Sequence, residues 1–332
     1  MPRAVLIGGN GMIGRAAARA LATDGWDVVA VSRSGTLPEG LAEIGVEAVA
    51  ADRTDDAQLR AALGGDADVL FDSIAVNRGH GEQLNGLEGL VGSLVVISTA
   101  SVYADDAGRA LDGEGGEPPR LPVPILETQR TAEPGDATYS TQKAELEQTL
   151  LRGPIPATLL RACAIHGPGA KNPRELFFVK RAVDGRRRVA LAWNGESRFN
   201  TASVANLAEL IRLAAAQPGD RVLNGGDPDP PSTLEICRAI GDALDFEFEP
   251  VLLPADEFGN PWGVPSSSPL VVSMEAAERE LGYRPVTTYP EAVKETCAWL
   301  VGELERGRTW EGSYIEDTLD YAAEDAAVAS LA

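Results

Sequence analysis

Tyr139 and Lys143 stand four residues apart in Tyr139-Ser140-Thr141-Gln142-Lys143. In a helix that spacing puts both side chains on one face, as surface neighbours. The chemistry open to such a pair is proton transfer. A free phenol, with a pKa of about 10, is a poor acid–base group at neutral pH. A nearby ammonium favours the phenolate and lowers that value. Forty residues earlier lies the hydroxyl-rich run Ile97-Ser98-Thr99-Ala100-Ser101-Val102-Tyr103. From there Thr99 could hold, from the other side, the oxygen whose proton is exchanged.

A second constellation opens the chain. The strand-like Arg3-Ala4-Val5-Leu6-Ile7 runs straight into Gly8-Gly9-Asn10-Gly11-Met12-Ile13-Gly14 and an alanine-rich helix. A strand, a tight glycine turn and a helix describe a dinucleotide-binding crossover, in which the pyrophosphate sits on free N–H groups at the helix start. The backbone of Gly8, Asn10, Gly11, Met12, Ile13 and Gly14 is the expected seat. The spacing is Gly8-x-x-Gly11-x-x-Gly14 rather than G-x-G-x-x-G. A positively charged nicotinamide ring would add to the ammonium in favouring the Tyr139 phenolate. Tyr139 could then exchange a carbinol proton while hydride moves to or from that ring. Lys143 would also reach the nicotinamide ribose.

Which dinucleotide is expected follows from Val31-Ser32-Arg33-Ser34. An acidic residue here would bind the adenosine ribose hydroxyls and favour NAD(H). Ser32 and Arg33 instead offer a hydroxyl and a guanidinium suited to a 2′-phosphate. NADP(H) is therefore the expected cofactor, with NAD(H) as the alternative.

The elements that must position these groups are short apolar strands alternating with helices. Strands are predicted at 27–31, 46–50, 67–71, 93–97 and 157–162, with helices at 55–63 and 139–151. This is the pattern of a doubly wound parallel α/β sheet. Glu145 and Glu147 are expected to face outward from the second helix. Residues 104–137, with five prolines, read as a long surface loop that covers a substrate or is an insertion without a role. From about residue 170 the texture becomes short helices and proline-rich joints. The expected division is a dinucleotide-binding domain over 1–169, a smaller α/β substrate domain over 170–302 and an acidic tail over 303–332. The 201–214 helix could return to the sheet. The tail reads as a packed arm, with a subunit contact, and hence a homodimer, as the alternative.

Composition narrows the classes. Fifty acidic against 29 basic residues leave a net charge of −21, which repels polyphosphate and argues against nucleic acid as a partner. Only four of the basic residues are lysines, so Lys143 in a motif position carries weight. Arg186-Arg187-Arg188 is read as a solvated turn. Three cysteines without pairing or metal spacing and two histidines give no metal site and fit a reducing cytoplasm. No apolar run is long enough to span a membrane, and no signal peptide is expected before the first strand.

The ordered set of glycine turn, Thr99 cluster and Tyr139–Lys143 helix resembles the extended short-chain dehydrogenase/reductase family, from Arg3 to about Leu300. The segments 160–169 and 198–210 join that resemblance. It implies that Thr99, four residues before Tyr103, is the catalytic hydroxyl, with Ser98 and Ser101 as secondary candidates. It implies Tyr139 and Lys143 as the acid–base tyrosine and its lysine. Asp52 would contact the adenine, and Ile74 and Ala75 would line the cofactor. Arg198 matches an arginine that contacts a substrate diphosphate, although an interdomain ion pair serves it equally well. His166 stands where a tyrosine is common and reads as a packing residue.

Departures from the family matter too. Ala100 and Ser101 replace the Asp and Glu of sugar-nucleotide 4,6-dehydratases, so dehydration is not expected. No cysteine stands beside the cluster as in 3,5-epimerizing members. The stretches 76–92 and 103–105 resemble a divergent subgroup of NAD-dependent epimerase/dehydratase proteins. The first expectation is a reductase or dehydrogenase acting on a small, sugar-like ketone or secondary alcohol. The alternatives are a nucleotide-sugar epimerase with tightly bound NAD and a non-catalytic, nucleotide- or RNA-associated protein.

Overall fold

In a computed structural model, residues 1–113, 117–255, 261–262 and 264–330 are described. The chain begins β1 (Arg3–Ile7), α1 (Met12–Thr23), β2 (Asp27–Ser32), β3 (Glu47–Ala50), α2 (Asp56–Leu63), β4 (Ala67–Asp72), α3 (Arg78–Asn85) and β5 (Val91–Thr99). After the long connection come α4 (Tyr139–Leu151), β6 (Ala157–Ala162), β7 (Ala164–His166), α5 (Leu176–Val183), β8 (Arg188–Leu191), β9 (Thr201–Ser203), α6 (Val204–Ala216) and β10 (Arg221–Gly225). The rest is α7 (Thr233–Leu244), β11 (Glu249–Leu252), α8 (Glu275–Leu281), α9 (Tyr289–Glu305), α10 (Tyr314–Asp317) and α11 (Tyr321–Ala329).

Seven strands form one parallel sheet in the order β10-β6-β5-β4-β1-β2-β3. Continuous runs such as Ala4-Val5-Leu6-Ile7 and Leu94-Val95-Val96-Ile97 are buried on both faces, as a sheet covered by helices on each side requires. Alternate residues feed two separate cores. Leu6, Val28, Phe71 and Val95 face one, whereas Val5, Val29, Leu70 and Val96 face the other. The doubly wound architecture expected from the sequence is present.

The chain winds outward from β1 to β3, then returns to begin β4 on the other side of β1. That reversal opens a crevice at the carboxyl ends of β1 and β4, where doubly wound sheets bind ligands. After residue 170 the chain comes back to the sheet: α6 packs on α1, β10 adds the seventh strand beside β6, and α8 packs on α6 and β10 with Ala276, Ala277 and Leu281 in the first core. The remaining segments build a third core around Phe177, Phe178, Ile240, Trp262, Val293 and Leu300, with the small parallel pairs β8–β11 and β7–β9. Residues Ile315 and Ala327 of the acidic tail are part of that core. Among the described residues, no helix is long and apolar enough to cross a membrane.

Candidate active site

The glycine turn sits at the reversal point. Gly8 adopts φ +82°, and a Cβ there would lie 2.4 Å from Ser73 Oγ at the end of β4. Gly14 packs so closely that a Cβ would meet the Gly8 carbonyl oxygen at 2.2 Å. Gly9, outside the spacing read from the sequence, is equally constrained, because its Cβ would fall 2.6 Å from that of Ala30. Gly11 is the N-cap of α1 and brings no side-chain cap, so the first-turn N–H groups at Met12, Ile13 and Gly14 suit an anionic ligand. Asn10 Nδ2 donates to Ser34 Oγ (3.0 Å) and Thr36 Oγ1 (3.2 Å), tying this turn to the loop after β2. These residues fit a dinucleotide pyrophosphate.

Around the end of β2, Gly35 N donates to Ser32 Oγ at 3.2 Å, and Arg33 is exposed. Asp52 follows β3. Its Oδ1 accepts from Thr54 N (2.9 Å) and Thr54 Oγ1 (2.8 Å), which hold the carboxyl below its usual range, with a smaller contribution from Arg33. After β4, Ile74 is 45% exposed on the rim whereas Ala75 is buried.

Helix α4 brings Tyr139 and Lys143 to the end of β5. Thr138 caps it in a reciprocal box with Thr141, so Tyr139 is its first residue and Lys143 stands one turn on. Lys143 is buried, and its Nζ donates to the carbonyls of Ala75 (2.6 Å) and Ile97 (2.8 Å), with the Tyr139 ring centroid at 5.7 Å. Burial pushes its pKa down to about 8, and Asp72 and Glu147 oppose that shift. The Tyr139 phenol is pushed up, chiefly by burial and then by Asp112, although the residue is 49% exposed. The lowering expected from the ammonium is not among the causes that set this phenol. Thr99 ends β5 half-buried, its Oγ1 3.0 Å from Ser101 Oγ.

The expectation for Glu147 changes. Ser98 is buried and donates to Glu147 Oε1 at 2.5 Å. Glu147 therefore does not face outward: it receives Arg161 Nη2 at 2.7 Å, because its helical face lies over buried β5 and β6. In the basic run Arg187 and Arg188 are exposed, as a solvated stretch requires, and Arg186 pairs with Glu324 and Asp325 and Arg187 with Glu247 and Glu249. Arg198 is exposed, donates to the Pro230 carbonyl and pairs with Glu235 at 3.3 Å. His166 is buried, with Nε2 3.0 Å from Asp227 Oδ2 and Nδ1 3.3 Å from Thr296 Oγ1.

Sequence reading missed Asp72 and Arg53. They form a buried ion pair at 2.6 Å beneath the turn that carries Ile74 and Ala75. The available signal was a carboxylate directly after the apolar run Val69-Leu70-Phe71, which a buried position tolerates only with a cationic partner.

Comparison with known proteins addresses the same stretch. Residues 4–91 match the NAD dependent epimerase/dehydratase family. That family segment spans the glycine turn and reaches the first residue of β5. A comparison with curated proteins finds no match. Among solved structures, the chain is similar to UDP-glucose-4-epimerase from Stenotrophomonas maltophila with bound NAD and formylated UDP-arabinopyranose. The two are 18% identical, with a TM-score of 0.71 over 93% of this chain and 100% of that one. UDP-glucose 4-epimerase from Bifidobacterium longum in complex with NAD+ and UDP is 19% identical, with a TM-score of 0.67 over 91% and 99% of the two chains. UDP-N-acetylglucosamine 4-epimerase from Bacillus cereus is 17% identical, with a TM-score of 0.69 over 91% and 100%. At these identities the likeness is one of fold.

Proposed function

We propose that this protein is an NAD(P)(H)-dependent enzyme of the extended short-chain dehydrogenase/reductase type. It catalyses reversible hydride transfer at a ketone or secondary alcohol of a small, sugar-like substrate. The observation that carries this reading is the placement of Lys143, buried between the carbonyls of Ala75 and Ile97 with Tyr139 one helical turn away. A nicotinamide dinucleotide, when bound, supplies the hydride chemistry. Gly8, Gly11 and the first turn of α1 would hold its pyrophosphate, Asp52 and Ile74 its adenine end, and Lys143 its nicotinamide ribose.

Within that site Tyr139 gives or takes the carbinol proton, and Thr99 with Ser101 orients the same oxygen. The Lys143 charge favours the phenolate and works against burial, so proton exchange by Tyr139 depends on that ammonium. Ser32 and Arg33 favour NADP(H), since a guanidinium pairs well with a 2′-phosphate.

A nucleotide-sugar epimerase is the second reading, favoured by the epimerases among structures of similar fold. Such an enzyme keeps NAD through purification, whereas a reductase exchanges its cofactor. Release of stoichiometric dinucleotide on denaturing the purified protein would favour the epimerase.

The test is a panel of nucleotide sugars and ketones assayed for NADPH and NADH oxidation. With any substrate found, Tyr139→Phe should lower turnover by about a hundredfold or more while dinucleotide affinity is retained. Turnover retained in that variant removes Tyr139 as the acid–base group.

A further inference from the structure

Asp72 closes β4 with its carboxylate fully buried, and Arg53, from the segment after β3, is 7% exposed. Oδ2 of Asp72 receives Arg53 Nη1 at 2.6 Å. Its Oδ1 receives two backbone N–H groups, from Ile74 at 2.7 Å and Ala75 at 2.8 Å. A buried carboxylate is tolerated when it is both paired and hydrogen-bonded, and this one is. Arg53 is held in turn: Nη2 donates to Gln83 Oε1 (2.7 Å), and Gln83 Nε2 returns to the Arg53 carbonyl (2.6 Å).

The turn built this way touches both parts of the proposed cofactor seat. On one side Ser73 donates through N (3.3 Å) and Oγ (3.2 Å) to the Ile7 carbonyl and abuts Gly8. On the other, the Ala75 carbonyl accepts Lys143 Nζ at 2.6 Å. An ammonium has three donors. The Ala75 and Ile97 carbonyls take two of them and so set the direction of the third.

We infer that Asp72, clamped by Arg53, is a positioning residue for Lys143 and acts through the 73–75 turn. The inference rests on reading Lys143 as the residue that orients the dinucleotide. It predicts that Asp72 and Lys143 contribute to binding as one unit. The side chain of Asp72 matters there as an acceptor for two amides, beyond its charge.

The experiment is a double-mutant cycle on dinucleotide affinity, read by NADPH and NADH fluorescence with the full-length protein. Thermal melts identify the folded variants. Lys143→Met and Asp72→Ala should each raise Kd by about tenfold, the worth of one charged hydrogen bond. The double variant should lie within about threefold of either single one, because the penalties are not additive for coupled residues. Asp72→Asn keeps an acceptor for both amides but turns an amide donor toward Arg53, so its Kd should fall between those of the unmodified protein and Asp72→Ala. If Asp72→Ala does not fold, the cycle is run with Arg53→Met and Lys143→Met, and the same non-additivity is expected. Additive penalties, near a hundredfold in the double variant, overturn the inference alone. So does an Asp72→Asn affinity as weak as that of Asp72→Ala. Failure of the unmodified protein to bind either dinucleotide overturns the enzyme reading, and this inference with it.

Discussion

Arg33 shows how much can rest on one side chain. It follows β2 on the exposed rim, beside the Ser32 hydroxyl and near the Asp52 carboxylate. A 2′-phosphate placed there would gain a charge-assisted hydrogen bond worth about 1.5–3 kcal/mol. Arg33→Ala should therefore weaken NADPH binding by about tenfold or more and leave NADH within about twofold. Fluorescence titration of both reduced cofactors measures this, and tighter binding of NADH by the unmodified protein would sink the NADP(H) assignment. Gly9 carries a different lesson at the same scale. The sequence reading took its weight from Gly8, Gly11 and Gly14, yet Gly9 meets Ala30 so closely that no side chain fits.

Helix α4 acts as a single device along the edge of β5 and β6. Tyr139 opens it, Lys143 one turn later grips the Ile97 carbonyl, and Glu147 one turn further receives Ser98 and Arg161. The third contact locks the rotation of the helix and so sets where the first two side chains point. Arg161 also lies over the Tyr103 ring at 4.8 Å and donates to the Glu127 carbonyl, which draws the long 103–138 connection onto the sheet. Replacing Glu147 with Ala leaves the Arg161 guanidinium buried without its carboxylate. Denaturant unfolding should show a loss of about 3–5 kcal/mol, the cost of breaking a buried ion pair from one side. A loss under about 1 kcal/mol would mean that helix packing alone sets the rotation.

At the scale of the molecule, the acidic carboxyl-terminal segment closes the third core. Glu324 on α11 is buried and receives Arg181 Nη2 (3.0 Å), Arg186 Nε (3.1 Å) and the Ala190 N–H (2.8 Å). Arg181 is itself fully buried, with the Phe177 ring centroid 3.7 Å from its guanidinium carbon. Glu324→Ala should cost about 3–5 kcal/mol by the same argument, and it should make α10 and α11 the first sites cut in limited proteolysis. Unchanged unfolding and proteolysis would show that the tail adds nothing to the core it touches.

The sequence by itself determined the parts governed by local rules. Tight glycine turns, apolar strand runs and capped helices depend on neighbours within a few residues, so the crossover at Gly8, the strands through Ala162 and the Tyr139–Lys143 helix were legible. Only the tertiary structure decided which buried polar groups meet. Asp72 finds Arg53 across 19 residues, Glu147 finds Ser98 across 49, and Arg181 finds Glu324 across 143. The return of β10 to the sheet is of the same kind. A charged residue needs a partner wherever burial removes water, and that partner is set by how the layers stack.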